Sequence, residues 1–127
     1  MNNLKIILIV DDASLVRLYY RSTLEPAGFR VMEALNGVEA LEKLQSVTVD
    51  LLIVDINMPL MDGLTMLETL RQKELRIAST PALITSTESA EKDFAAARAA
   101  GANHYLVKPI DRDALVQFAR MLCGEPL

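Results

Sequence analysis

The chain has 127 residues, of which 51% are hydrophobic and 24% are charged, as is ordinary for one globular domain. A net charge of −4 argues against a nucleic-acid surface, because binding phosphates requires clustered Lys and Arg. The single cysteine, Cys123, excludes an internal disulfide, and no apolar run approaches the roughly 18 residues of a membrane span. We therefore expect one soluble, cytoplasmic domain over residues 1–127, with no direct nucleic-acid partner and no membrane partner.

Five short apolar runs, all predicted to be strands, alternate with five longer segments of helical character. The runs are 5–10, 29–34, 50–55, 81–86 and 104–109. The helical segments are 14–28, 36–45, 63–76, 89–102 and 111–122, with Ser14 and Asp111 as expected N-caps. The strand runs are almost continuously apolar, which is typical of a parallel sheet covered on both faces. Right-handed crossovers then predict an α/β fold of the (βα)5 type with an open, doubly wound sheet.

Polar side chains follow four of the five predicted strands. The residues at these strand ends are Asp11 and Asp12 after the first, Asp55 at the third, Ser86 at the fourth and Lys108 at the fifth. In open α/β sheets, functional groups gather outside the carboxyl ends of the strands. We therefore expect three carboxylates, one hydroxyl and one ammonium group to share one edge of the sheet.

The charges of this predicted cluster point to a metal ion. Three carboxylates brought close together repel, which raises at least one pKa or recruits a cation, and Lys108 balances only part of their charge. A hard divalent cation with oxygen ligands, above all Mg²⁺, would complete the balance. A carboxylate beside Mg²⁺ and an ammonium group is suited to phosphoryl transfer, with the carboxylate as nucleophile. The residues alone thus predict an acidic magnesium site for phosphate chemistry.

Four segments, taken in order and spacing, resemble the receiver domain of two-component response regulators. They are VDDASLVR (10–17), LLIVDINMPLMDGL (51–64), ITSTE (84–88) and AAGANHYLVKPI (99–110). The resemblance covers about 5–123, and the length of the chain is similar to that of CheY-like single-domain regulators. It implies a flavodoxin-like sheet with strand order 2-1-3-4-5, an order that periodicity alone does not determine.

The resemblance also implies roles for the acidic cluster. Asp55 matches the aspartate that accepts the phosphoryl group. Asp12 and Asp55 match the side-chain ligands of Mg²⁺, Asn57 would contribute its backbone carbonyl, and Asp11 would act largely through a metal-bound water. Lys108 matches the lysine that contacts the phosphoryl group.

A second set of residues resembles the switch of the family. Ser86 matches the hydroxyl that turns towards a phosphoryl oxygen, and Tyr105 matches the aromatic residue that moves inward with it. Counting back from Lys108 favours Ser86 over its neighbour Thr85, which we expect to face a helix layer. By the same resemblance, the surface of the fourth helix, fifth strand and fifth helix transmits the signal, as a charge event biasing a two-state element.

Three residues are expected to modulate hydrolysis of the phosphorylated form, and one peptide bond is expected to be cis. Asn57 and Glu88 flank the acceptor in the family pattern, and Thr87 is bulkier than the Ala or Gly often found at its position. The Lys108-Pro109 bond matches one that is cis in the family, and proline is where a cis bond costs little.

Taken together, the chain is expected to be a signalling receiver that catalyses only its own phosphorylation and dephosphorylation. The expected partners are a sensor histidine kinase or histidine phosphotransferase as donor and a downstream protein of the chemotaxis or relay type. The chain itself is expected to be a monomer or weak dimer. An alternative is a receiver excised from a larger regulator or hybrid kinase, although MLCGEPL directly after the last helix favours a stand-alone domain.

Two other site types are less favoured. A phosphohydrolase of the haloacid dehalogenase type places its nucleophile in a D-x-D pattern after the first strand, whereas Asn57 stands two positions after Asp55 here. An EF-hand is rejected, because it requires Gly at loop position six and Glu at twelve, whereas the loop that begins with DINMPLMDG has Gly63 at nine and Met66 at twelve.

Overall fold

The computed structural model describes residues 4–125, so 1–3 and 126–127 of the predicted domain lie outside the described residues. Five strands form one sheet: β1 (Ile6–Val10), β2 (Arg30–Ala34), β3 (Leu51–Asp55), β4 (Ala82–Ser86) and β5 (His104–Val107). All neighbouring strands are parallel, and their order is β2-β1-β3-β4-β5. The predicted fold class and strand order are both confirmed.

Five helices connect and cover the strands. They are α1 (Ser14–Leu24), α2 (Gly37–Leu44), α3 (Gly63–Leu70), α4 (Glu91–Ala100) and α5 (Arg112–Leu122). A single helical turn, Leu75–Ala78, precedes β4. Within the described residues, no helix is both long enough and apolar enough to span a membrane.

The core lies in two layers, one on each face of the sheet. On one face, α2, α3 and α4 cover side chains such as those of Leu8 and Leu52. On the other face, α1 and α5 cover side chains such as those of Ile7 and Ile53. Every residue of β3 is buried because this central strand has neighbours on both edges and helices on both faces. This double burial explains why the strand sequences are continuously apolar rather than alternating.

Several of the predicted helix boundaries are wrong: α1 ends at Leu24 rather than at 28, and α4 spans Glu91–Ala100 rather than 89–102. α1 begins at Ser14, but its N-cap is Ala13, so Ser14 is not the cap. α3 ends at Leu70 instead of continuing to 76. There the guanidinium of Arg71 donates to the carbonyl of Ala78 at 2.8 Å and to that of Thr80 at 2.6 Å, which folds the following chain back on the end of the helix. By contrast, Asp111 caps α5 as predicted, since its carboxylate accepts from the backbone N–H of Ala114.

Candidate functional site

The carboxyl ends of β1 and β3 bring the three acidic residues together. In the sheet, Val10 is paired with Val54, so the residues that follow them, Asp11 and Asp55, emerge side by side. Carboxylate oxygens of Asp11, Asp12 and Asp55 all lie within 4.8 Å of one another. Asp11 and Asp55 are 1% and 7% exposed, whereas Asp12 is exposed. The cluster is therefore buried at Asp11 and Asp55 and open to solvent at Asp12.

Lys108 reaches this cluster from the end of β5. Its Nζ lies 3.0 Å from Asp55 Oδ1 and 3.1 Å from Asp11 Oδ2. Its backbone N–H donates to the carbonyl of Ser86 at 2.7 Å, which fixes the chain just after β5 against the end of β4. The Lys108-Pro109 peptide bond is cis, as the family resemblance implies. One ammonium group thus bridges two of the three carboxylates.

The electrostatics of the site favour a cation. Burial raises the pKa of Asp55 most, the hydrogen bond from Lys108 opposes it, and the charges of Asp11 and Asp12 raise it further, so the pKa stands above its ordinary value. Burial alone would lower the pKa of Lys108, but the hydrogen bond that Lys108 donates to Asp55 and the charge of Asp11 outweigh burial and raise the pKa. The ammonium group stays charged, but the cluster contains three carboxylates, so it retains net negative charge.

The donor set fits Mg²⁺. The cluster offers hard carboxylate oxygens, and Mg²⁺ takes one or two carboxylates while keeping several waters. Asp11 Oδ1 accepts from the backbone N–H of Ala13 at 2.9 Å, and its Oδ2 accepts from Lys108. Both oxygens of Asp11 are therefore already hydrogen-bonded, which agrees with an indirect role, while Asp12 and the loop residue Asn57 are exposed.

Ser86 and Thr85 occupy different environments at the end of β4. Thr85 is fully buried and pairs with Asp55 in the sheet register. Its neighbour Leu83, on the same side of the strand, packs in the layer beneath α1 and α5, so Thr85 faces a helix layer as expected. Ser86 is 1% exposed, and its Oγ accepts from the backbone N–H of Glu88 at 3.1 Å.

Tyr105 is connected to the loop that follows Ser86. Its hydroxyl donates to the backbone carbonyl of Glu88 at 2.9 Å. Its ring packs edge-on against Phe94 of α4, with ring centroids 4.7 Å apart. Thr87 and Glu88 are exposed beside this connection. The predicted switch residues are therefore both hydrogen-bonded to the backbone of Glu88, Ser86 to its N–H and Tyr105 to its carbonyl.

Two neighbours of the site were not identified from the sequence. Arg17 of α1 donates from Nη1 to the backbone carbonyl of Asp11 at 2.7 Å. Tyr20 is 2% exposed, and burial is the main cause that raises its pKa to about 12. The charges of Lys108, Asp11 and Asp55 also act on its hydroxyl. Arg17 stands at the end of the VDDASLVR segment, and this position was the only signal that could have pointed to it.

Comparison with known proteins gives concordant results. The chain matches the model of the response regulator receiver domain over residues 7–120. It is 36% identical over 120 residues to chemotaxis protein CheY1 of Helicobacter pylori, covering 93% of this chain and 96% of that protein. It is also 34% identical over 110 residues to the CAI-1 autoinducer sensor kinase/phosphatase CqsS of Vibrio cholerae, covering 87% of this chain but 16% of that protein.

A solved structure agrees with these sequence matches. The structure of Vibrio cholerae chemotaxis protein CheY4 superposes with a TM-score of 0.88 at 33% identity, covering 94% of this chain and 98% of that one. The fold, the acidic cluster at the carboxyl end of the sheet and the family match over most of the chain lead to one conclusion. This chain belongs to the family of response regulator receiver domains.

Proposed function

We propose that Asp55 accepts a phosphoryl group with the help of Mg²⁺ and Lys108. The observation that carries the proposal is the cluster itself, in which three carboxylates lie within 4.8 Å of one another and Lys108 Nζ lies 3.0 Å from Asp55 Oδ1. Asp12 and Asp55 would hold Mg²⁺ with their side chains, Asn57 with its backbone carbonyl, and Asp11 through a metal-bound water.

In this proposal, the carboxylate of Asp55 is the nucleophile. A new bond forms between an Asp55 oxygen and phosphorus as the bond between phosphorus and the donor's imidazole nitrogen breaks, and the imidazole leaves with that electron pair. Lys108, held cationic by two carboxylates, binds an oxygen of the transferred group. When bound, Mg²⁺ neutralises charge on that group. The domain catalyses its own phosphorylation and dephosphorylation rather than turning over a substrate as a conventional enzyme does.

Ser86 and Tyr105 would carry the signal away from the site. Because Ser86 Oγ accepts from the N–H of Glu88, turning the hydroxyl towards a phosphoryl oxygen releases that N–H. The hydroxyl of Tyr105 donates a hydrogen bond to the carbonyl of Glu88, so the loop that contains Glu88 and the ring of Tyr105 move together. The movement reaches the surface of α4, β5 and α5, where we place the downstream partner. The exposed Asn57, Thr87 and Glu88 would modulate hydrolysis.

A sensor histidine kinase or a histidine phosphotransferase is the proposed donor, and a chemotaxis-type or relay protein the proposed target. CheY1 and CqsS represent the two settings, a chemotaxis protein and a sensor kinase in which the matched part is 16% of the length. A domain belonging to a larger regulator or hybrid kinase is therefore the alternative. A phosphotransfer screen against candidate histidine kinases distinguishes the two settings by naming the pathway.

The direct test replaces Asp55 by Asn and measures labelling by acetyl phosphate in the presence of Mg²⁺. We expect Asp55→Asn to abolish labelling, because an amide nitrogen and oxygen cannot form the acyl phosphate. Asp113→Asn, the same chemical change on an exposed residue of α5, serves as the matched control and should label like the wild type. Full labelling of the Asp55 variant would overturn the assignment of the acceptor.

The partner surface requires a separate experiment. A pull-down with domain treated with beryllofluoride, compared with untreated domain, should capture the downstream protein preferentially in the treated sample. Substitution of Tyr105 by Ala should remove that preference while leaving the labelling of Asp55 intact. Equal capture by treated and untreated domain would contradict the proposed switch.

A further inference from the structure

Arg17 connects the acidic cluster to a network of ion pairs on α1 and β2. Its side chain is 12% exposed, and it uses two edges of the guanidinium at once. Nη1 donates to the backbone carbonyl of Asp11 at 2.7 Å, and Nε donates to Glu33 Oε1 at 2.7 Å. The planar guanidinium therefore spans from the helix to the backbone of the site, with its orientation fixed by a carboxylate.

Glu33 is held on its other side by a second arginine. Arg21 Nε donates to Glu33 Oε2 at 2.8 Å, and Arg21 Nη1 donates to Glu25 Oε2 at 2.6 Å. Burial alone would raise the pKa of Glu33, but the hydrogen bonds from Arg17 and Arg21 outweigh it and lower the pKa. Glu33 thus stays ionised and anchors Arg17, and the four charges of this network cancel.

The backbone carbonyl of Asp11, which accepts from Arg17, belongs to the peptide unit that joins Asp11 to Asp12. The orientation of this peptide unit sets the position of Asp12. The side chain of Asp11 is fixed by the N–H of Ala13 and by Lys108, and its backbone N–H donates to the carbonyl of Ala34. Asp12 is exposed, which makes its position more dependent on the backbone that carries it.

We propose that Arg17 is a positioning residue for the cation site, acting through the Asp11–Asp12 peptide unit to place the carboxylate of Asp12. The inference rests on the proposed Mg²⁺ site and extends it to a residue that does not touch the metal. Hydrogen bonds from residues that do not touch the metal typically change metal affinity by about tenfold or more, because they orient the residues that bind it.

The charge of Arg17 and its position predict opposite effects on Mg²⁺ affinity. Removing a positive charge next to three carboxylates would, through Coulomb interactions alone, strengthen the binding of a cation. Releasing the peptide unit would weaken binding, because Asp12 would then have to be ordered when the cation arrives. The sign of the change therefore distinguishes positioning from a simple charge effect.

The experiment measures Mg²⁺ dissociation constants by calorimetry for the wild type, Arg17→Met and Arg21→Met. Arg21 is the matched control, since it pairs with the same Glu33 but makes no bond to Asp11 in the described structure. We expect Arg17→Met to raise the dissociation constant roughly tenfold and Arg21→Met to change it by less than about twofold. Thermal unfolding in EDTA shows whether each variant is folded.

A kinetic readout separates positioning from general damage. For Arg17→Met, the Mg²⁺ concentration that half-saturates labelling by acetyl phosphate should rise in parallel with the dissociation constant. The labelling rate at saturating Mg²⁺ should stay within about threefold of wild type, because Asp55 and Lys108 are unchanged. If Arg17→Met does not fold, Arg17→Gln against Arg21→Gln gives the same comparison, since glutamine is too short to span both acceptors.

Failure of the positioning role of Arg17 can be distinguished from failure of the proposed function. A wild type that binds no Mg²⁺ at millimolar concentrations would contradict the cation site itself. A wild type that binds Mg²⁺, with an Arg17→Met variant that binds it equally well or more tightly, would overturn the positioning role alone. Equal weakening by Arg17→Met and Arg21→Met would also overturn it, since only one of these residues reaches Asp11.

Discussion

The two ends of the parallel sheet are held by different chemistry. At the carboxyl end, carboxylate oxygens of three aspartates lie within 4.8 Å of one another, and the ammonium group of Lys108 pairs with two of these aspartates. At the opposite end, the guanidinium of Arg71 donates to neutral oxygens that precede β4 and β5. These acceptors are the carbonyls of Ala78, Thr80 and Gly101 and the side-chain oxygen of Asn103.

The difference separates a functional end from a stabilising end. Burial lowers the pKa of Arg71, but its hydrogen bonds satisfy carbonyls that would otherwise be left without partners. Asn103 Oδ1 also accepts from the N–H of Ala82, so this end is cross-linked by polar contacts without like-charge repulsion. At the other end, burial and neighbouring carboxylates raise the pKa of Asp55, which means that its ionised form is disfavoured in the fold. Removing the charge of Arg71 should therefore destabilise the fold, whereas removing the charge of Asp55 should stabilise it.

The largest expected effect joins stability and function at Gly63. A Cβ at this position would lie 2.4 Å from the backbone oxygen of Asp55 and 3.0 Å from Ile56 Cα. Since backbone atoms at the end of β3 cannot rotate away, Gly63→Ala must displace the end of β3 or the start of α3. We expect a loss of about 3 kcal/mol in the free energy of unfolding, together with strongly reduced labelling of Asp55. Urea denaturation and acetyl phosphate labelling measure the two effects.

Gly28→Ala provides the control for this substitution. Gly28 has φ +102°, and a Cβ there would meet no described atom within 4 Å, so alanine is strained by its backbone conformation alone. The cost should be roughly 1–2 kcal/mol, without loss of labelling. Normal labelling by a folded Gly63→Ala variant would show that the close approach to Asp55 does not position the acceptor.

The second-largest expected effect, that of Arg71→Met, is on stability and not on the acidic site. Replacing Arg71 by Met keeps most of the apolar stem but leaves the carbonyls of the segments that precede β4 and β5 without this donor. We expect the free energy of unfolding to fall by about 2–3 kcal/mol, measured in urea, with Mg²⁺ affinity and labelling unchanged. Arg98→Met is the matched control: Arg98 is exposed and meets Glu91 at 3.9 Å, so its loss should cost less than about 0.5 kcal/mol. A changed Mg²⁺ affinity in Arg71→Met would break the separation of the two ends.

The same residue explains why one part of the fold could not be predicted. The strands were predictable because a sheet covered on both faces requires continuous apolar runs, and such runs are visible locally. The end of α3 was not, because Arg71 is held partly by Gly101, which lies 30 residues away in sequence. The turn after Leu70 therefore depends on a tertiary contact, while the local pattern alone continues to favour helix.

A similar limit applies to the site. The meeting of Asp11, Asp12, Asp55 and Lys108 was predictable, because parallel strands place their carboxyl ends at one edge. The strand order came from the family resemblance rather than from periodicity. Arg17 was missed because its acceptor is a backbone carbonyl, which has the same chemistry in every residue and leaves no pattern among side chains. Hydrogen bonds from a side chain to the backbone are therefore the contacts of this site that could not be predicted from the sequence.

The smallest expected effect has the opposite sign to the others. In EDTA at neutral pH, Asp55→Asn should stabilise the domain, because it removes a carboxylate whose ionised form the fold disfavours. The variant loses the ion pair with Lys108, but burial and the charges of Asp11 and Asp12 together exceed that contribution. We expect a gain of about 1 kcal/mol, or a Tm higher by roughly 3–6 °C, in thermal unfolding.

The pH dependence of this gain follows from the raised pKa of Asp55. Between its ordinary value of 3.8 and its value in the fold, the folded state binds more protons than the unfolded chain, so stability falls as pH rises through this window. The cost is complete above the pKa in the fold and absent below 3.8, and the advantage of Asp55→Asn should shrink accordingly as the solution is acidified. An Asp55→Asn variant less stable than wild type at neutral pH would mean that the ion pair with Lys108 outweighs the repulsion, and that the acidic end also stabilises the fold.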